Sequence, residues 1–170
     1  IDQASMTDGS KLVTMLNMFI GASSGSAGGG IKTTTFAILI FAFLAGARSQ
    51  EREPVVNRKS ISGKMINKAV SVVTFALTII IASIFLIVLA ENGNPNIDME
   101  SVAFECVSAY STVGLSYGIT PELTGISKLI LTALMYIGRM GSLFLTLFFL
   151  QSRHKENTNI KYPEMKIMIG

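Results

Sequence analysis

The sequence predicts an all-α membrane protein assembled from repeated helix–loop–helix units. Three observations carry this. Residues 70–90 run for 21 positions without a charge. Residues 129–150 form a second apolar run, interrupted by a single charge, Arg139. One segment also recurs in similar form 117 residues further along the chain. Composition agrees, with 49% hydrophobic and only 15% charged residues, against about 25% charged in soluble domains. The single cysteine, Cys106, excludes an internal disulfide framework. The net charge of +3 lies in clusters beside apolar runs, which fits membrane topology and argues against a nucleic-acid partner.

Residues 12–47 are apolar but too long for one simple span, and ten residues interrupt them. The insert, Gly21-Ala22-Ser23-Ser24-Gly25-Ser26-Ala27-Gly28-Gly29-Gly30, has five glycines and three serines. Glycine on this scale unwinds a helix. The expectation is two half-helices, residues 12–20 and 31–47, joined by a loop inside the membrane. Non-helical backbone is tolerated at that depth where it lines a water-filled cavity or is buried in protein. The competing reading is helix packing through Gly21 and Gly25.

Residues 70–90 have the roughly 20-residue length that crosses a hydrocarbon core. After them comes a turn-rich stretch, then a short amphipathic segment at residues 99–110, then Ser-Thr-Val-Gly-Leu-Ser. That segment is too short to span and is expected to re-enter the membrane. Residues 129–150 supply the next span, so residues 64–150 form one helix–pore-loop–helix unit. Six basic residues lie within residues 48–68 and four in the tail after Leu150, while residues 91–100 carry three acids and no base. The basic regions are therefore expected on the cytoplasmic side, with the re-entrant segment entering from outside.

Residues 10–21 align without a gap on residues 127–138, six of twelve positions being identical, and Thr7 meets Thr124. Ile1 then aligns with Gly118, just after the Ser-Thr-Val-Gly-Leu-Ser segment. The chain reads as one and a half copies of the unit, with no leader peptide at its start and earlier copies expected upstream.

The segment Thr112-Val113-Gly114-Leu115-Ser116 is a candidate ion filter. Backbone carbonyls can replace the hydration shell of potassium, and a glycine lets the strand adopt the required path. The negative C-terminal end of the preceding short helix would favour a cation there. With Phe104–Pro121, Met135–Gly141, Met18–Phe36 and the tail from Lys161 to Gly170, the sequence resembles the Trk/Ktr/HKT potassium transporter superfamily, and most closely the Ktr-type membrane subunit.

The resemblance implies a potassium-channel-like fold of four helix–pore-loop–helix repeats around one pore. Residues 1–50 would end the third repeat, 51–63 would be a cytoplasmic linker, 64–150 the fourth repeat and 151–170 a cytoplasmic tail. Potassium would pass the carbonyls of Thr112, Val113 and Gly114, with sodium as a candidate second ion and no organic cofactor. The Gly21–Gly30 stretch would be an intramembrane gate. The resemblance further implies a homodimer in the lipid bilayer, docked on a cytoplasmic nucleotide-binding ring.

Two charges accompany the gate. Arg139 lies eleven residues beyond Lys128, about 16 Å at 1.5 Å per residue. A charge at that depth usually faces the protein interior, and the repeat places it level with Ala22. It is expected to hold the loop carbonyls. Lys32 could be a second fixed charge or could reach the cytoplasm. Glu105 is expected to be a residue of the short helix held in hydrogen-bond contact, and not a cation ligand.

Two enzyme readings fail. A serine nucleophile in Gly-Ala-Ser-Ser-Gly needs a nearby base, and the only histidine, His154, lies beyond the last span. A phosphate loop needs adjacent Gly-Lys, but Ile31 separates Gly30 from Lys32. The remaining alternative is an accessory membrane subunit without its own pore.

Overall fold

A computed structural model of the chain describes residues 6–23, 26, 28–47, 55–56, 59–94 and 97–152, with backbone alone for 55–56, 59–60 and 141–152. Ser24, Gly25 and Ala27 of the glycine-rich insert, most of the basic linker, and the tail from 153 onward lie outside the described residues. Five α-helices dominate: α1 (Asp8–Phe19), α2 (Thr33–Ala47), α3 (Gly63–Ala90), α4 (Met99–Ser111) and α5 (Gly125–Ser152). Between α2 and α3, the two-residue strands β1 (Val55–Val56) and β2 (Lys59–Ser60) pair antiparallel.

Helix α3 has 28 residues and is long and apolar enough to cross a membrane; at 1.5 Å per residue it spans about 42 Å. It starts at Gly63, earlier than the charge-free run, because Lys64 and Lys68 continue it beyond the apolar stretch. Its buried residues, Ala69, Ala76, Ile80, Ser83 and Ile87, follow the three-to-four spacing of a single stripe. Large apolar side chains such as Leu77, Ile81, Phe85 and Leu89 point outward. In a soluble domain such a face would be a liability; in hydrocarbon it is the ordinary surface.

Helix α4 has 13 residues, about 20 Å long and so too short to span. Asp98 precedes it as N-cap and Glu100 lies in its first turn, where negative charge is favoured. It is buried nearly all round, with Val102, Phe104 and Cys106 at its centre. It packs against α1, α3 and α5, and the Phe104 ring meets Tyr117 edge-on at 4.9 Å. Against α5 the approach is closest at Gly138, where a Cβ would lie 1.8 Å from the Tyr110 carbonyl oxygen. Only glycine fits there.

Two clusters tie the helix ends. Glu91, just past α3, accepts hydrogen bonds from the Thr124 amide (2.8 Å), the Thr124 hydroxyl (2.8 Å) and the Ser127 hydroxyl (2.5 Å) at the start of α5. The Ser127 hydroxyl, helped by the Thr124 groups and opposed by burial, holds the Glu91 carboxyl below its ordinary 4.5. Lys11 of α1 lies 3.3 Å from both Asp8 and Glu100. Its ammonium also stands 5.1 Å over the Tyr117 ring, joining α1 to the start of α4.

Candidate functional site: a short-helix terminus and a glycine-rich loop

The site forms where α4 ends. The Thr112 amide donates to the Ala109 carbonyl at 3.1 Å and the Val113 amide to the Ser108 carbonyl at 3.2 Å. This pair of bonds is the Schellman arrangement, whose left-handed position is normally glycine. Here Thr112 occupies it, with φ 52° and ψ 36°. Gly114 also has positive φ, 83°, and nothing lies within 4 Å of a Cβ built there. Glycine is needed at 114 for its backbone angle, not for lack of room.

The segment is pinned from the side of α4. The Ser108 hydroxyl donates to the Leu115 carbonyl at 2.5 Å. Glu105, 7% exposed, accepts from the Ser116 hydroxyl and from the Tyr117 amide, the latter at 3.0 Å. Glu105 is thus a scaffold for the segment, bonded as expected. On the other side Val113, Gly114 and Ser116 are exposed. A cleft of about 290 Å³ opens beside Glu105, Ser108, Thr112, Gly114, Ser116 and Met135.

The glycine-rich insert leaves the helix at Ile20 and returns at Ile31. These two residues pair as an isolated parallel bridge, and the Ile31 amide donates to Phe19 O at 3.3 Å. The excursion is therefore closed at its base. Its far part lies against the end of α4: the buried Gly29 amide donates to Thr112 Oγ1 at 3.0 Å. A Cβ at Gly30 would lie 3.3 Å from the Ser111 hydroxyl, which is buried and has no hydrogen-bond partner among the described residues.

Lys32 folds back onto this loop. Its ammonium donates to the Ser26 carbonyl at 2.9 Å and the Gly28 carbonyl at 2.7 Å. The ammonium is thus bonded to backbone of the loop itself. Arg139 is exposed and makes no hydrogen bond or ion pair among the described residues. The reason is angular. Gly138 is jammed against Tyr110, and one residue further is a rotation of about 100°, which turns Arg139 away from α4. Among the described residues, the loop carbonyls of Ser26 and Gly28 are bonded by Lys32 and not by Arg139.

The structure thus brings together Thr112–Ser116, Gly28–Gly30 and Lys32, and leaves Arg139 apart. Sequence reasoning missed the Glu91 and Lys11 clusters. A signal existed for both: the aligned Thr7, Ser10 and Lys11 match Thr124, Ser127 and Lys128, and such caps and bases need partners.

The potassium/sodium uptake protein NtpJ of Enterococcus hirae is 36% identical over the whole chain, which covers 38% of that protein. The Ktr system potassium uptake protein B of Bacillus subtilis is 38% identical over the whole chain, covering 36% of it. The Ktr system potassium uptake protein D of the same organism is 32% identical, again over the whole chain and 36% of the relative. The chain therefore spans little more than a third of the length of these relatives. Residues 1–160 match the TrkH description, cation transport protein. With a helical membrane fold, an apolar spanning helix and this match over nearly its full length, the chain belongs to the TrkH family of cation transport proteins, which are transporters and not enzymes.

Proposed function

We propose that this chain supplies one of four filter strands and the intramembrane gate of a potassium uptake protein. Thr112, Val113 and Gly114 would offer carbonyls to the ion, and Leu115 and Ser116 would complete the strand. Residues 21–30 would bar the path below it. The observation that carries this reading is the contact of the closed glycine-rich loop with the first residue of the strand, through Gly29 and Thr112. Further support comes from α4, whose C-terminal end, carrying the negative end of the helix dipole, leads directly into the strand. Positive φ at Thr112 and Gly114 gives a backbone unlike an ordinary β-strand, in which the pleat turns successive groups to opposite sides.

In this reading residues 1–50 end the third repeat, 51–63 form a cytoplasmic linker, 64–150 form the fourth repeat, and 151–170 are a cytoplasmic tail. The aligned starts of α1 and α5 support the repeat. Each follows a threonine whose hydroxyl lies about 3 Å from that of a serine three residues on: Thr7 and Ser10 at 3.0 Å, Thr124 and Ser127 at 3.1 Å. The names of the relatives support potassium as cargo, with sodium as a candidate. The full-length protein would work as a homodimer on a cytoplasmic nucleotide-binding ring.

The test is ion uptake by the full-length protein in vesicles. Gly114→Ser places a side chain at positive φ, a strain of about 1–2 kcal/mol, and should narrow the preference for potassium over sodium by about tenfold. An unchanged ratio removes Gly114 from the filter.

A further inference from the structure

We infer that Gly29 is a specificity-determining position: its amide holds the Thr112 hydroxyl, so the intramembrane loop sets which cation passes as well as how much. The inference rests on the proposed filter and gate. It begins with the strain at Thr112. A β-branched residue in the left-handed region is an outlier, and this one sits where a helix end normally calls for glycine. Such conformations persist only when the surroundings over-determine them.

The cap bonds from Thr112 and Val113 to the end of α4 supply part of that determination. The rest comes from a segment 83 residues away. The Gly29 amide donates to Thr112 Oγ1 at 3.0 Å, which fixes the hydroxyl and with it the side-chain rotamer. The contact has no slack. A Cβ at Gly29 would lie 2.7 Å from Thr112 Oγ1, 3.0 Å from its Cγ2 and 3.1 Å from the Ser111 carbonyl oxygen. That carbonyl belongs to the peptide leading into the strand, so any shift here reorients the first groups facing the ion.

The neighbouring glycine supplies an internal control. A Cβ at Gly28 would meet Ala22 Cβ at 2.6 Å and come near nothing of the strand. Gly28 faces its own loop, and Gly29 faces the filter. A loop that served only as a barrier would answer alike to changes at both, altering total flux and leaving the ratio of ions alone.

The experiment measures potassium and sodium uptake by the full-length protein in vesicles. Gly29→Ala lowers the potassium-to-sodium ratio about fivefold, the effect of one lost hydrogen bond. Gly28→Ala changes total flux and keeps the wild-type ratio. Thr112→Val keeps the branched shape, removes the acceptor and reproduces the ratio of Gly29→Ala. The double variant then falls no further, as expected of two groups in one interaction. A wild-type ratio in both Gly29→Ala and Thr112→Val overturns the inference while leaving the gate intact, as does an equal ratio shift in Gly28→Ala. Should Gly29→Ala fail to assemble, Thr112→Val decides alone by the same two outcomes. A ratio insensitive to Gly114→Ser as well would instead overturn the filter.

Discussion

Helices α1 and α5 start alike and end differently. Both begin one residue after a threonine and carry Ser-Lys-Leu from their third residue, and their sequences align as far as a glycine, Gly21 or Gly138. Beyond it α5 runs on to Ser152, whereas α1 has already stopped at Phe19 and the chain resumes helix only at Thr33. The ten residues from Gly21 contain five glycines, against two in the ten from Gly138, where Leu and Phe follow. At about 1 kcal/mol per glycine in a helix, the difference is a few kcal/mol, enough to decide between helix and loop. Similar starts thus lead to two ends: a continuous helix, and a loop whose Ser26 and Gly28 carbonyls are bonded by Lys32.

The aligned glycines offer the largest test of that contrast. Gly138→Ala forces a Cβ into the Tyr110 carbonyl and should cost about 3 kcal/mol of stability, as overpacking does. Gly21→Ala meets the carbonyl of Gly29 at 2.3 Å and the Gly30 backbone at 3.0 Å and 3.1 Å, but these belong to the loop, which can yield where a buried helix cannot. It should cost about 1 kcal/mol. Thermal unfolding of the two purified variants compares them, and equal losses would mean that the loop is packed as rigidly as the helix.

Next comes the charge that holds the loop. Lys32→Met removes two charge-assisted hydrogen bonds, each worth about 1.5–3 kcal/mol. Potassium flux should rise on the order of tenfold. Arg139→Ala should change it less, because Arg139 touches neither the loop nor the strand among the described residues. The reverse ranking in a vesicle flux assay would return the latch to Arg139.

The smallest effect is expected at the shared start. The first turn of α5 is anchored on Glu91, and that of α1 on Glu100 through Lys11. The folded-state pKa of Glu91 is lowered, so its contribution is present above the ordinary carboxylate value and is lost as pH falls through the folded value. Stability should therefore drop below about pH 4.5. Glu91→Gln should cost about 1 kcal/mol at neutral pH and flatten this acid limb. Melting curves at pH 7 and pH 4 would reveal it; an unaltered acid limb would assign the pH dependence to other carboxylates.

Local patterns were readable and long-range ones were not. The break at Gly21, the short helix before Thr112 and the apolar run of α3 follow from glycine content, length and charge, which a sequence displays directly. Helix bounds were less legible. Helix α5 starts at Gly125, four residues before its apolar run, because the Thr124 cap sets the start and hydrophobicity does not. The bond between Gly29 and Thr112 joins residues 83 apart, and no periodicity encodes it. The bonds from Lys32 to the loop were equally hidden: depth along a helix follows from residue count, but the direction of a side chain depends on which face is packed.

The pairing of Ile20 with Ile31 has a kinetic consequence. A chain of ten residues could stretch about 35 Å, yet both ends of this one are moored at a single point. A gate at residues 21–30, as proposed above, could therefore open while α1 and α2 stay joined at its base. Motions confined to a loop run in nanoseconds to microseconds, whereas sliding whole helices takes microseconds to milliseconds. On that proposal, gating would run on the faster of these two scales.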